Sequence, residues 1–535
     1  MNNIKELYLK VEGILSSAKF AVAIITIFAI ALVIGTFQES YHGTDFANRL
    51  IYKSWWFLGL QGLMFISIFM ATLVRLPLKK RLYGFYVIHA GLLTLFIGSF
   101  FTYITGIDGS IQILPNTPSK TVQLGEDIVK VAFIEDNKEY SVKLPYNAFE
   151  TNLDIDIRDI KILKFLPSAE LKTSWIDDPM MSTRQHSTHF QIFNEMVSEE
   201  VILSLHQSSD FKSMEKMGPL TLHYMPFILK DCFLKEGKSG FIFWNLKTEQ
   251  CFTPEEKNLP VEKTPKDSVF VVLKDENNKM LKFFPDFSPV PINDDLSKDM
   301  DSPYRVLAKN LFSDKPNLFI FGDEIVYYQK RNSKWVSKNF REKKLIKLPW
   351  MNFQLRLIKH SNSSYPMQIP VFTKPTQESG QVVSGDKKAI QIQLGKNIYW
   401  VRSDSPLALS NGKSEIRIQI TTTQIELPYQ ITLERFQMNT DPGTKNPASY
   451  ESFVQLLDSR NNEGVSKHHV FMNNPLKYDD FTFYQASYFP IGPEQYASVL
   501  SVNYDPGRFL KYLGSLLIVL GSIWHFIINR RKKKA

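Results

Sequence analysis

Residues 82–107 read LYGFYVIHAGLLTLFIGSFFTYITGI. No Asp, Glu, Lys or Arg interrupts the run between Arg81 and Asp108. Its 26 residues exceed the roughly 20 that an α-helix needs to cross a bilayer. Tyrosines aside, one ionisable side chain lies inside it, His89. A histidine at membrane depth is costly without a partner, so it marks a functional position by default. Its ring nitrogens are also ligands for haem iron and other metals. The stretch therefore reads as a spanning helix.

Three further apolar runs extend this reading. Residues 20–38, FAVAIITIFAIALVIGTFQ, carry no charge between Lys19 and Glu39. A cleaved signal peptide is the competing interpretation. No clear small-x-small site follows, and a second apolar run comes soon after, so retention is expected. Residues 54–74 open with Trp55 and Trp56, where an aromatic belt would place them. Residues 512–529, YLGSLLIVLGSIWHFIIN, are near the lower length limit for a span. Residues 39–53 read as a short polar loop, and 75–81 (RLPLKKR, with Pro77) as a tight turn. The expected fold is a membrane protein with four transmembrane α-helices, three then one, separated by a large domain at 108–506.

Charge orients it. The net charge is +9, and it is concentrated beside the apolar runs: Lys5, Lys10 and Lys19, then Arg75, Lys79, Lys80 and Arg81, then Arg530, Arg531, Lys532, Lys533 and Lys534. The other side has only Arg49 and Lys53 in its short loop. By the positive-inside rule, residues 1–19 and the tail 530–535 lie in the cytoplasm, and 108–506 is extracytoplasmic. This implies a multi-pass protein of the cytoplasmic (inner) membrane. Nucleic-acid binding, which wants a basic patch with aromatics on a folded face, is not indicated.

The large domain reads as β-rich. Residues 153–157 (LDIDI), 390–394 (IQIQL) and 415–420 (EIRIQI) alternate with the period of half-buried strands. Turn signals stand at 275–278, 411–412, 441–443 and 461–464. The motif Leu-Pro-aromatic recurs at 144–146, 348–350 and 427–429, each before a strand-like stretch. It suggests either repeated β-units or chance recurrence. The charged segments 252–267 and 293–303 read as exposed loops at an insertion or lobe boundary. Cys232 and Cys251 are the two cysteines, and neither sits in CxxC or CxxCH. A thioredoxin-like pair and a covalent haem site are thus missing. The two either form one disulfide closing a hairpin or stay as buried thiols.

Chemistry is sparse. From residue 82, His89 lies about 10 Å into its helix. His525 lies about 7 Å from the same membrane face on a helix running the other way. The two are candidates for a haem axial pair, or for each pairing with a second subunit. For His525 the alternative is an interfacial residue beside Trp524; for His89 it is a helix-packing hydrogen bond. His186 and His189 have no acidic or cysteine neighbour and read as a solvated loop. His468 and His469 precede a strand and would point to opposite faces. Asp479 and Asp480 read as turn residues. GxSxG, HExxH, P-loop and dinucleotide motifs are lacking.

Several blocks resemble one family. They are Ile34-Gly35-Thr36; Trp55-Trp56-Phe57; His89-Ala90-Gly91-Leu92 with Gly98; Gly106-Ile107-Asp108-Gly109-Ser110-Ile111; Val470-Phe471-Met472-Asn473-Asn474-Pro475-Leu476-Lys477-Tyr478; Phe483-Tyr484-Gln485-Ala486-Ser487-Tyr488; and Asp505-Pro506-Gly507. In order, spacing and three-plus-one layout the chain resembles the ResB (CcsB) family of system II cytochrome c biogenesis. The resemblance implies a subunit that, with the membrane protein CcsA (ResC), moves haem b across the membrane for attachment to the CxxCH of apocytochrome c. A thioredoxin-like thiol reductant of the ResA/CcsX type is an implied further partner. His89 matches the family's intramembrane haem histidine. The external haem histidines and tryptophan-rich motif belong to CcsA. The chain is then either non-catalytic or one part of a haem-lyase complex. The alternative function is a scaffold that holds CcsA and apocytochrome c without binding haem.

Overall fold

The computed structural model describes residues 2–181, 185–235, 238–245, 248, 250–274, 278–284, 290–291, 304–339, 345–378, 381–410, 415–440, 447–460, 464–493 and 495–532. Five helices matter here: α1 (Asn2–Leu15), α2 (Ala18–His42), α3 (Trp55–Leu73), α4 (Tyr83–Thr105) and α5 (Arg508–Lys532). Helices α2 to α5 are long and apolar enough to cross a membrane. An apolar run of this length must satisfy its own backbone in lipid, which a helix does. Serines set two starts. Ser17 Oγ accepts from the Phe20 amide at 3.2 Å, and Ser54 Oγ from that of Phe57 at 3.4 Å.

The ends differ from expectation. Residues 1–19 hold α1, whose Leu15 carbonyl accepts the Ser67 hydroxyl of α3 at 2.9 Å. The expected polar loop at 39–53 is mostly helical: α2 runs to His42, then come a turn at Thr44–Ala47 and a π-turn at Asn48–Tyr52. It winds because its polar letters hide a buried side of Phe46, Ala47 and Ile51. Asp45 also pairs with Arg49 one turn on. The last residues of the expected 75–81 turn begin a 3₁₀ turn, Lys80–Leu82.

The stretch 108–506 is divided between two compact units. Residues 1–170 and 370–535 form one, and 171–369 the other. The lobe boundaries therefore fall at 170 and 370, and 252–267 lies inside the second unit. There it is partly ordered, with the short strand Val261–Lys263 and a buried Phe252.

In the first unit a ten-stranded sheet carries β1 (Ile107–Ile113), β2 (Pro118–Phe133), β3 (Glu415–Thr440), β4 (Pro447–Leu457), β5 (Val465–Val470), β6 (Leu476–Tyr478), β7 (Phe481–Gly492) and β8 (Gln495–Tyr504). The order is β5-β4-β3-β2-β1-β8-β7-β6, and Lys138–Lys143 and Leu407–Ser410 add to β2 and β3. Val470 of one edge strand and Leu476 of the other share a core with Ile111, Tyr429 and Phe483, so the sheet coils on itself. The alternation read at 415–420 is borne out: Ile416, Ile418 and Ile420 are buried and the residues between them exposed. These isoleucines pack on Ile390 and Ile392 from the facing strand Lys387–Leu394.

The Leu-Pro-aromatic motif has no common structure. Residues 144–146 and 348–350 lie in loops, while 427–429 sit within β3. The expected turns at 275–278, 411–412, 441–443 and 461–464, and the loop at 293–303, lie wholly or partly outside the described residues.

The second unit packs two sheets on one core. One contains Ser187–Phe193 and Gln354–Ser361; the other contains Leu220–Met225 paired parallel with Asn317–Phe321.

Candidate functional site

The surroundings of His89 are built from glycines. Gly84, Gly91 and Gly98 recur every seven residues on α4, and Gly507, Gly514 and Gly521 do so along and just before α5. A Cβ on Gly84 would lie 2.5 Å from His525 Cβ, one on Gly91 2.7 Å from the Gly514 carbonyl oxygen, and one on Gly98 2.9 Å from that of Gly507. The helices therefore run antiparallel with their backbones in contact, as small residues permit within a membrane. At the end next to the β-rich domain Thr102 Oγ1 donates to Asp505 Oδ1 at 2.5 Å, and Lys511 Nζ lies 2.7 Å from Asp505 Oδ2. Burial alone would raise the Asp505 pKa; the bonds from Lys511 and Thr102 outweigh it and hold it below the usual range.

This seam sets the rotation of α4. His89 lies about 140° round the helix from Gly84, away from α5. It shares its face with Phe85, whose ring lies tilted against it with centroids 3.7 Å apart, and with Phe96, which meets Phe65 of α3. The Arg75 guanidinium lies 4.9 Å from the Phe85 ring. Tyr86 donates its hydroxyl to the Arg75 carbonyl at 2.5 Å. His89 Nδ1 lies 2.9 Å from the Phe85 carbonyl. A carbonyl only accepts, so Nδ1 carries the proton and the lone pair is on Nε2. Among the described residues Nε2 has no hydrogen-bond partner, and the ring is half-buried. A neutral, oriented imidazole with a free Nε2 is a competent ligand for a metal or haem iron.

His525 sits elsewhere. Its backbone and Cβ lie against Gly84, on the side of α4 opposite His89. The fold thus does not turn these two imidazoles towards one iron.

The remaining candidates are structural. His186 is buried, and His189 lies in the strand Ser187–Phe193; neither is on a solvated loop. The Phe227 amide donates to His186 Nε2 at 3.2 Å, which leaves Nδ1 to donate to the Tyr224 hydroxyl at 2.5 Å. That hydroxyl lies 3.4 Å from His360 Nδ1. Burial, and then the nearby His360, push the His186 pKa down to about 4. His468 and His469 lie inside β5, not before it. Asp479 and Asp480 occupy a turn with positive φ, as expected. Cys232 and Cys251 are disulfide-bonded, linking the short helix Lys230–Leu234 to the strand Cys251–Phe252 instead of the two arms of one hairpin. Among the described residues no group of three or more His, Cys, Asp or Glu is arranged to hold a metal ion.

Residues 407–496 match the sequence model of the ResB-like family. Over 134 residues the chain is 34% identical to Protein NrfI of Wolinella succinogenes. Over residues 407–496 the chain is similar to the ResB-like family. The NrfI match spans 25% of this chain and 13% of NrfI. The ResB-like segment covers the strand Leu407–Ser410, β3 to β7 and the start of β8. Within it Arg460 bonds Asp458 through Nε and Nη2, at 3.0 and 2.7 Å, and Tyr478 donates to Asp458 at 2.9 Å. The Arg460 bond is the largest influence holding the Asp458 carboxyl far below its usual range.

Sequence reasoning missed the glycine seam and one buried charge cluster. Arg49 reaches Asp45 at 2.9 Å and Asp127 at 2.6 Å, and Lys388 reaches Asp127 at 2.6 Å. The sevenfold glycine spacing was available in the sequence. The pairing of residues 49, 127 and 388 was not.

Proposed function

We propose that this ResB-like chain serves cytochrome c maturation as a haem-handling membrane subunit beside a CcsA (ResC)-type partner. The observation that carries the proposal is the state of His89: Nδ1 is committed to the Phe85 carbonyl, and Nε2 is directed away from the α4–α5 seam. Haem b is cargo here. Nε2 supplies one axial bond, while Phe85 and the surrounding helices exclude water. Arg75, beyond Phe85, adds a cation attractive to porphyrin carboxylates. His525 is directed elsewhere, so the second axial ligand belongs to another chain. Any haem-lyase activity is that of the complex.

With the basic flanks inside, the β-rich part faces outward, where apocytochrome c and a thiol reductant of the ResA/CcsX type would meet it. Strand β5 is an edge of the ten-stranded sheet. An extended apocytochrome segment could add to it as a further strand. Crosslinks from apocytochrome c falling only on CcsA would remove that docking mode.

The test is an absorption spectrum of the chain purified with its partner. His89→Ala should lose the Soret band at equal protein yield, and added imidazole should restore it. Equal haem in variant and wild type would leave the chain as a scaffold.

A further inference from the structure

We infer that the N-terminus of α3 binds the anionic headgroup of a membrane phospholipid. This goes beyond haem handling and rests only on α2 to α5 crossing a membrane. A cavity of about 520 Å³ lies there, lined by Arg49, Lys53, Trp55, Trp56, Tyr103 and Tyr146 among others. A second cavity, about 710 Å³, shares Lys53, Tyr103 and Tyr146 and continues along Ile104.

Three observations point to an anion. Arg49 is only 4% exposed, and its Nε and Nη2 are taken by Asp45 and Asp127. Its Nη1 is buried and has no hydrogen-bond partner among the described residues. A guanidinium N–H left in that state is costly and calls for an acceptor. Lys53 is exposed and forms no ion pair among the described residues; its Nζ lies 5.8 Å from the Tyr146 ring. Last, the first amides of α3, at Trp55 and Trp56, have no carbonyl one turn earlier in the helix to receive them. The helix dipole adds its positive end at the same place.

The local charges fit. Asp45 and Asp127 are matched by Arg49 and Lys388, which leaves Lys53 in excess. In the adjoining cavity Glu126 is held by Lys143 at 2.7 Å, and Asp108, whose charge is felt at Tyr146, is the remaining carboxylate among the lining residues. Burial, then Asp45, push the Tyr146 hydroxyl pKa up to about 12, so it stays a neutral donor.

The apolar side explains why the anion is a lipid. Trp55 is 84% exposed, and Tyr103 and Ile104 are more than half exposed. They form an aromatic and aliphatic wall at the end of the spanning helices, where acyl chains run beside a headgroup. A phosphate with a free negative charge suits Lys53 and Arg49. A choline headgroup would bring a second cation against them.

The test uses the full chain, delipidated in a neutral detergent and titrated with short-chain phosphatidylglycerol, phosphatidylcholine or inorganic phosphate. Native mass spectrometry reads the bound species. Phosphatidylglycerol should bind saturably and at least about tenfold more tightly than phosphatidylcholine, with inorganic phosphate not binding. Lys53→Glu, on an exposed side chain that the fold does not need, should weaken it about tenfold or more. Lys120→Gln, at a remote exposed ion pair, should change nothing. Equal binding of the two lipids, binding of phosphate alone, or indifference to Lys53→Glu would each overturn the assignment.

Discussion

Gly91→Ala tests the seam that orients His89. The new Cβ would lie 2.7 Å from the Gly514 carbonyl oxygen and 2.9 Å from Ile518 N and Leu517 Cβ, whereas ordinary contact begins at 3.4 Å. The shortfall, 3.4 − 2.7, requires the helices to part by about 0.7 Å. Two of the three obstacles are backbone atoms, which cannot swing aside. Overpacking of this kind costs about 1–3 kcal/mol. Against it stands a gain of up to about 1 kcal/mol, because alanine is the better helix former. The net effect should be destabilising. Gly62 of α3 has nothing within 4 Å of its Cβ position, so Gly62→Ala takes the gain alone. The two alanines should therefore move stability in opposite directions. Melting of a chain with two units is not two-state, so the assay is hydrogen exchange of the α4 amides in detergent. Gly514→Ala should resemble Gly91→Ala, since its Cβ would lie 2.6 Å from the Gly91 carbonyl oxygen. The double variant should cost less than the sum, because both open the same crossing. If Gly91→Ala protects α4 as well as Gly62→Ala does, the close approach is wrong, and with it the rotation assigned to His89.

Other parts of the fold can be tested separately. Asp127→Asn leaves Arg49 and Lys388 facing a neutral group in a buried site and should cost about 3–5 kcal/mol, read as faster exchange in β2 and residues 44–53. Acid should weaken the 171–369 unit. His186 has a folded pKa of about 4, against about 6.5 unfolded, so between those values only the unfolded chain takes up the proton. Stability should fall as pH drops from about 6.5 to about 4, by up to about 3 kcal/mol, and His186→Gln should flatten that slope in exchange measured at pH 7 and pH 5. Replacing both Cys232 and Cys251 by serine removes a link across 19 residues and should cost that unit about 3 kcal/mol, seen as a lower urea midpoint for its tryptophan signal.

The four long apolar helices were legible because length and the lack of charge decide them locally. Period-two strands such as 415–420 were legible for a similar reason: one face is buried along its whole length. Helix ends were harder. At 39–53 polar letters conceal a side buried by distant packing: Ile51 joins Ala31 and Phe57, Phe46 meets Phe149, and Arg49 finds Asp127, 78 positions away. Burial of His186 depends on Tyr224 and the Phe227 amide, which the packing of two separate sheets brings near. The unit boundaries at 170 and 370 carry no strong punctuation, since the strands Ile160–Asp177 and Ser364–Phe372 run straight through them. His89 was singled out by chemistry alone; its direction needed the glycines.

That direction bears on why a haem-handling chain of this kind would need a second protein. Helix α4 spends one face on α5, where a side chain as small as alanine does not fit. The face carrying Phe85 and Phe96 leans on α3. His89 lies at the margin of that face, with its ring half-buried and the exposed Phe100 and Ile104 following on the free side. On the proposed reading, a flat porphyrin bonded to Nε2 would have protein on one side only, and among the described residues His525 lies on the other side of α4. On the same reading, the missing wall and the second ligand come from the partner's helices. Haem retention should then rise steeply when the two proteins are purified together, with His89 necessary in both cases and sufficient in neither.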